Sequence, residues 1–405
     1  MESDASVRKA TMSEEIPQQH TDVEKALFFG REEFEGRWAA VRAEMVREGF
    51  DVLLVFNAEN VLYLSGYQSI GYSSFLCLVV PRSGEMTLCV REMEMGCARY
   101  FSMVEDVVIY ADHEEPVAVL ERALASRGLT KGRIGVEFDA AFIGARRIMR
   151  LAEELRPAEV VDASGTVEKA RAIKSPEELV YVRQACRATE EGMRAAIESV
   201  KEGVTENAVA AAMFSATVAA GSTFMSSDPI VTSGPKSGVA HTTFDGRRIQ
   251  RGDLVLLELG GCVKRYSGAL MRTVAVGNVP EEARKMASAC RAGLEAAIDA
   301  IRPGATAGEV DKACVAQMAK AGYEALFRKR TGYSVGVSYP PDWGEGHIVS
   351  LRQGDPTPLE PGMVFHIPPA LRSYARWGVG VSETVLVTPD GCEVLTHLSR
   401  ELFQR

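Results

Sequence analysis

The chain has 405 residues, a quarter of them charged, and a formal net charge of −9. This length predicts two domains that can each bury a core, and the acidic balance argues against a surface for duplex nucleic acid, which would be basic. No apolar run is long enough to span a bilayer, and no leader-like segment opens the chain. The eight cysteines form no CxxC pair, so we expect a soluble, cytoplasmic protein without a zinc finger or a membrane partner.

The first part of the chain alternates between strand-like and helical stretches. Residues 1–27 are polar, and we expect an arm that is poorly ordered or docks on a partner subunit. Residues 31–47 have apolar positions at helical spacing, and Gly49 ends the helix. Strands are then predicted at 51–56, 75–80, 86–90, 107–110 and 134–138, and helices at 116–125 and 141–155. This alternation predicts an α/β domain over residues 28–165.

A second domain is predicted over residues 170–405, and its first helix has a clear start. Ser175 suits the N-cap, Pro176 suits the first helical position, and Glu178 completes a capping box. The helix is expected to continue to about Val200.

An internal repeat lies within this second domain. The segment GMRAAIESVKEGVTENAV begins at Gly192, and GLEAAIDAIRPGATAGEV begins 101 positions later at Gly293, without a gap. Two helices with glycine stops could produce part of this match. Its length instead indicates two related halves, each with a pair of helices and a piece of sheet. A pocket between such halves would draw residues from both.

The stretch LVLLELGGCVKRYSGALMRTVAVG, residues 254–277, holds one carboxylate, Glu258, inside an apolar run. Two such runs joined by a Gly-containing turn predict a hairpin or a pair of strands. A buried carboxylate needs a partner, because burial disfavours its charged form. Glu258 is therefore either functional or a strand-edge residue that reaches solvent.

Two further residues are candidates for chemistry. His241 lies in a Gly- and Ser-rich loop shortly before the Glu258 strand, where a solvated histidine is the alternative to a catalytic one. Glu383 is the lone carboxylate of another apolar strand, so Glu258 and Glu383 are predicted to converge on a pocket. Alternatively, Arg272 or Lys264 neutralises one of these carboxylates structurally. Two carboxylates without a third ligand do not make a metal centre, so we expect no metal and no cofactor.

The sequence resembles the creatinase/prolidase/methionine-aminopeptidase superfamily along nearly its whole length. The resemblance rests on Ser233-Gly234, His241 and Gly252-Asp253-Leu254, on PGMVF at residues 361–365 and on SETVLVT at residues 382–388. It implies an α/β N-terminal domain followed by an α+β pita-bread domain. The internal duplication agrees with the pseudo-twofold symmetry of that fold.

The departures from the superfamily pattern are equally informative. Its metallopeptidases bind two metal ions through two aspartates, one histidine and two glutamates. The matching positions here are Glu258, Ala269, Tyr333 and Pro368, and only Glu383 keeps its ligand type. The resemblance therefore implies a metal-free protein. Retention of His241 with the two glutamates is the creatinase pattern.

Within the metal-free branch the chain most resembles the ectoine hydrolases, through GCVKRY at residues 261–266 and YPPDWGE at residues 339–345. This implies a homodimeric hydrolase that opens a cyclic amidine in a small zwitterionic substrate. Glu258 and Glu383 would hold the amidinium, and His241 would carry the proton. Tyr333 and Trp343 would contact the substrate. The alternatives are a creatinase-like enzyme for another zwitterion, a metal-dependent Xaa-Pro peptidase, and a non-catalytic binding protein.

Overall fold

The computed structural model describes residues 24–405, and the chain divides into two compact units between Arg171 and Ala172. Most of the predicted N-terminal arm, residues 1–27, lies outside the described residues, so its behaviour stays a prediction. Within the described range, no helix has the length and apolar character required to cross a membrane.

The first unit is built on a six-stranded mixed sheet with the order β4-β3-β2-β1-β5-β6. Its strands are β1 (Val52–Val55), β2 (Cys77–Pro81), β3 (Thr87–Arg91), β4 (Asp106–Tyr110), β5 (Arg133–Val136) and β6 (Glu159–Asp162). Its helices are α1 (Arg31–Glu48), α2 (Ala58–Ser65), α3 (Met95–Phe101), α4 (Pro116–Ser126), α5 (Ala145–Glu154) and α6 (Thr166–Arg171). The α/β class is confirmed. The sequence pattern missed α2 because seven of its residues are buried, which leaves no amphipathic pattern to detect.

The second unit begins with α7 (Pro176–Ser199), whose predicted capping box is confirmed. The Ser175 hydroxyl accepts the N–H of Glu178, and the Glu178 carboxylate accepts the N–H of Ser175. The remaining helices are α8 (Glu206–Ala219), α9 (Glu281–Ala300) and α10 (Ala307–Lys320). The strands are β7 (Ile230–Ser233), β8 (Leu254–Val263), β9 (Tyr266–Ala275), β10 (Gly332–Ser334), β11 (Ser350–Leu351), β12 (Val364–Ile367), β13 (Ala370–Ser373), β14 (Trp377–Gly380), β15 (Glu383–Thr388), β16 (Gly391–Val394) and β17 (Phe403–Gln404).

The sequence repeat corresponds to a structural repeat. Helices α8 and α10 occupy positions related by the same 101-residue offset, and each is N-capped by a threonine, Thr205 or Thr306. Gly203 and Gly304 precede these caps with φ values of 84° and 81°, which are unfavourable for residues with a Cβ. Each half thus reuses the same helix–glycine–helix unit, which confirms the predicted duplication.

Strands β8 and β9 form the predicted hairpin, but its turn lies at Lys264 and Arg265, which have φ values of 51° and 69°. The Gly260-Gly261 pair lies inside β8 instead. A Cβ at Gly260 would lie 2.8 Å from the Trp343 ring, and one at Gly261 would lie 2.6 Å from the Thr189 hydroxyl. These glycines are therefore required by packing on both faces of the strand and do not form the turn.

Candidate active site

The β8–β9 hairpin has two faces, and Glu258 lies on one of them. Glu258 pairs directly with Met271, so their side chains share a face, while the next residue, Arg272, points to the other face. Met271 clusters with Leu256 and with Ala370 of β13. We call this the Glu258 face.

Glu258 is buried, and its carboxylate makes no hydrogen bond or ion pair within residues 24–405. Neither of its oxygens is fully enclosed, so the carboxylate keeps some access to solvent, and we call the accessible space at the Glu258 face the cleft. Burial raises the pKa of Glu258, whereas the nearby charges of Lys329 and Arg372 lower it and that of Asp342 raises it. Glu258 is thus a buried carboxyl group without a direct protein partner among the described residues.

A directed hydrogen-bond chain lies beside Glu258. The Trp343 indole donates to the Tyr333 hydroxyl at 3.0 Å, and that hydroxyl lies 2.9 Å from Nδ1 of His366. Nε2 of His366 lies 2.7 Å from the Ser382 hydroxyl, which also accepts the Met271 N–H. Because indole only donates, Tyr333 accepts from Trp343, and the tautomer of His366 sets the direction of its bonds to Tyr333 and Ser382.

Burial fixes the protonation states along this chain. It raises the pKa of Tyr333 well above its ordinary value, with Glu258 and Asp342 adding to the effect. It lowers the pKa of His366 well below its ordinary value, helped by the charges of Lys329 and Arg272. Both shifts favour the neutral phenol of Tyr333 and the neutral imidazole of His366.

Trp343 is held by a well-anchored loop. Its ring packs on Gly260 of β8, and Glu345, two residues later, forms an ion pair of 2.8 Å with Lys174. Both side chains of that pair are 1% exposed. The structure therefore brings together Glu258, Tyr333 and Trp343, three of the five predicted site residues, whose role in binding a substrate stays a prediction.

Glu383 is placed elsewhere, and the two glutamates do not converge. The carboxylate of Glu383 accepts from Arg272 at 2.8 Å and from Arg400 at 2.9 Å, and also accepts the Thr396 hydroxyl. Since Arg272 points away from the Glu258 face, Glu383 lies on the opposite side of the hairpin. The alternative of structural neutralisation by Arg272 thus fits Glu383, whereas Glu258 has no such partner among the described residues.

His241 lies in an exposed turn with a φ of 55°. Within the described part of the chain, its side chain makes no hydrogen bond and no ion pair, and no contact joins it to Glu258. Its predicted role as proton carrier stays a prediction.

Four residues near Glu258 were not predicted from the sequence: Lys329, Arg372, His366 and Ser382. Alternation along the strand could have suggested Ser382, since only one of the neighbours Ser382 and Glu383 can face the cleft. The two cations carry no motif and come from loop and hairpin positions far apart in sequence, so no local signal identifies them.

The described residues do not fit a metal ion. No group of three or more His, Cys, Asp or Glu side chains that could hold one occurs between residues 24 and 405. On the Glu258 face, the Tyr333 hydroxyl is already hydrogen-bonded on both sides. The nearby charges of Lys329 and Arg372 would also repel a dication.

Comparisons with known proteins match both units. The model of metallopeptidase family M24 matches residues 180–389. The model of the creatinase/prolidase N-terminal domain matches residues 37–173.

The similarity to individual relatives extends over almost the full length of both chains. An ectoine hydrolase of Halomonas elongata is 32% identical over 94% of this chain and 99% of its own. A Xaa-Pro dipeptidase of Pyrococcus furiosus is 28% identical over 89% of this chain and 97% of its own. The crystal structure of a prolidase from Pyrococcus horikoshii matches with a TM-score of 0.80 at 26% identity, covering 91% of this chain and 99% of that one.

Proposed function

The chain belongs to metallopeptidase family M24, with a creatinase/prolidase N-terminal domain, and from this premise we propose that it is a metal-independent hydrolase that opens the cyclic amidine of ectoine. Water adds to the amidine carbon, the bond from this carbon to one ring nitrogen breaks, and that nitrogen leaves with a proton. The product is an N-acetylated diaminobutyrate. Full-length similarity to an ectoine hydrolase supports this choice of substrate.

The observation that carries the proposal is the unpaired Glu258 carboxylate in its cleft. An amidinium is a planar cation with N–H donors, and it would supply the charge-assisted hydrogen bonds that Glu258 lacks. The Trp343 ring would lie against one face of the amidinium. In this proposal His241 takes a proton from the attacking water and returns it to the leaving nitrogen. The contacts of Glu383 favour a structural role for that residue.

The side chains of the Glu258 face support a reaction without metal. Ala269 and Pro368, at two positions that the metallopeptidases use as ligands, have no donor atoms in their side chains. The remaining groups of the cleft supply one free carboxylate and two cations, which suits a small organic zwitterion better than a pair of metal ions.

Substrate profiling with and without a chelator tests the proposal. Purified protein is incubated with ectoine, with creatine and with a Xaa-Pro dipeptide, and products are followed by proton NMR. We expect ring opening of ectoine that is unchanged by EDTA. Dipeptide cleavage that EDTA abolishes and manganese restores would instead identify a metallopeptidase, and no turnover of any substrate would favour a binding protein.

A further inference from the structure

Two cationic side chains share the cleft with Glu258, and neither has an ion-pair partner within residues 24–405. Lys329 lies in the loop before β10, and Arg372 lies on β13. The proposed reaction assigns no task to either residue. A cation that has no protein partner beside a substrate cleft can be neutralised by an anionic group of the ligand.

The register of the β13–β14 hairpin places Arg372 on the Glu258 face. Ala370, two residues before Arg372, packs against Met271, the direct partner of Glu258. Side chains two apart on a strand share a face. The cross-strand partner of Arg372 is Gly378, where a Cβ would lie 3.3 Å from Cγ of Arg372. This close approach holds the stem of the arginine along the hairpin.

The guanidinium of Arg372 lacks hydrogen-bond acceptors among the described residues. Its Nε atom is buried and has no hydrogen-bond partner among the described residues. Its Nη atoms also have no protein acceptor among the described residues, and they are not enclosed, so they are accessible to solvent. A guanidinium with free donors in a fixed fork is suited to a carboxylate, which can accept from two of them.

Lys329 is exposed, but the surrounding protein also shifts the pKa of its ammonium group. Its side chain is solvent-accessible, yet desolvation lowers the pKa of its ammonium, and the charges of Arg372 and Arg330 lower it further. Glu258 acts in the opposite direction. The neighbouring Arg330 is already engaged, because it donates to the Ser350 hydroxyl and lies over the Tyr333 ring.

The charges of the cleft are therefore complementary to a zwitterion. Lys329 and Arg372 repel each other, and an anion bound between them would relieve this repulsion. The other carboxylate that acts on Glu258 is Asp342; it is exposed, and its Oδ1 accepts the Gly344 N–H. We infer that Lys329 and Arg372 form the subsite that binds the carboxylate of the substrate while Glu258 holds its amidine, an inference that rests on the proposed function.

Kinetics with Lys329→Met and Arg372→Gln test this subsite. Arg328→Gln and Arg376→Gln are matched controls, since each removes an exposed arginine near one of the two positions. KM and kcat are measured for ectoine and for its carboxamide. We expect each test variant to raise the KM for ectoine at least about tenfold, with little change in kcat or in the KM for the carboxamide. The controls should behave as the wild type does.

An equal rise in KM for both compounds, or no rise at all, would overturn the subsite. Failure of the proposed function is a separate result, seen as wild-type protein that does not turn over ectoine. In that case thermal shifts with creatine and creatine amide test the subsite alone. The subsite requires that only the carboxylate compound stabilises the wild type and that both test variants lose this effect. Stabilisation by neither compound would refute it.

Discussion

Glu258 and Glu383 are both buried glutamates, and they differ in what compensates their charge. Two arginines and a threonine hydroxyl bind the carboxylate of Glu383. Glu258 has only the longer-range influence of Lys329 and Arg372. A buried charge with direct partners holds a fold together, whereas one without them is available to a ligand.

This difference predicts that Glu383→Gln damages stability more than chemistry. Removing the charge leaves Arg272 buried without its carboxylate, which should cost about 3 kcal/mol in the free energy of unfolding. Turnover per folded molecule should stay near that of the wild type. Denaturant unfolding and steady-state kinetics measure the two effects, with Glu401→Gln at the exposed pair with Arg291 as the control. A hundredfold loss of turnover at unchanged stability would restore Glu383 to the catalytic site.

The neutral His366 predicts a loss of stability in acid. Its folded-state pKa lies well below that of the unfolded chain, so below about pH 6.5 the unfolded chain takes up a proton that the folded chain does not. The free energy of unfolding should therefore fall as the pH decreases from 7.5 to 5.5. In His366→Gln this fall should be smaller, whereas the exposed His347→Gln should keep it. Identical pH profiles for wild type and His366→Gln would contradict the assignment.

At the scale of elements, the β8–β9 hairpin organises the site through its glycines as much as through Glu258. Gly260 lets the Trp343 ring rest directly on the strand. That contact places the indole where it can donate to Tyr333.

Gly260→Ala should therefore displace Trp343. The added Cβ would lie 2.8 Å from the ring, which should lower the free energy of unfolding by about 1–3 kcal/mol and raise the KM for ectoine several-fold. Tryptophan fluorescence and kinetics report the two effects. Gly36→Ala, in an open position of α1, should leave both unchanged or stabilise slightly. Unchanged fluorescence and KM in Gly260→Ala would show that this contact does not position the ring.

The sequence predicted the elements well and their orientation less well. Apolar runs, the Ser175 capping box and the repeat were sufficient to predict the two units and the hairpin. The position of the hairpin turn was predicted wrongly, because Gly260-Gly261 has the composition of a turn. The residues that pack against these glycines lie far away in sequence, so the sequence did not reveal their packing role. The orientation of Ser382 and Glu383 depends on the pairing of β15 with β12, which a single strand does not reveal.

At the scale of the whole molecule, each half of the second unit contains the same helix–glycine–helix arrangement. The Glu258 face correspondingly draws on both halves, with Glu258 before α9 and Tyr333 and Arg372 after α10. This arrangement allows ligand positions to change while the fold persists, since the helices form the core and not the site.

The homodimer expected from the superfamily resemblance remains a prediction at this scale. One chain has a mass of 44.0 kDa, so light scattering at assay concentration should give about twice that value. A mass matching one chain, with full activity, would contradict it.

The central claim is that the unpaired carboxylate of Glu258 holds the substrate for a hydrolysis that needs no metal. The most direct measurement is ectoine turnover by wild type and Glu258→Gln, both with EDTA present and with melting temperatures recorded. We predict turnover by the wild type and at least a roughly hundredfold lower kcat/KM for the variant, because it loses the charge that holds the amidinium. Its melting temperature should be equal or higher, since an uncompensated buried charge has been removed. Near wild-type turnover in a folded Glu258→Gln protein would contradict the account.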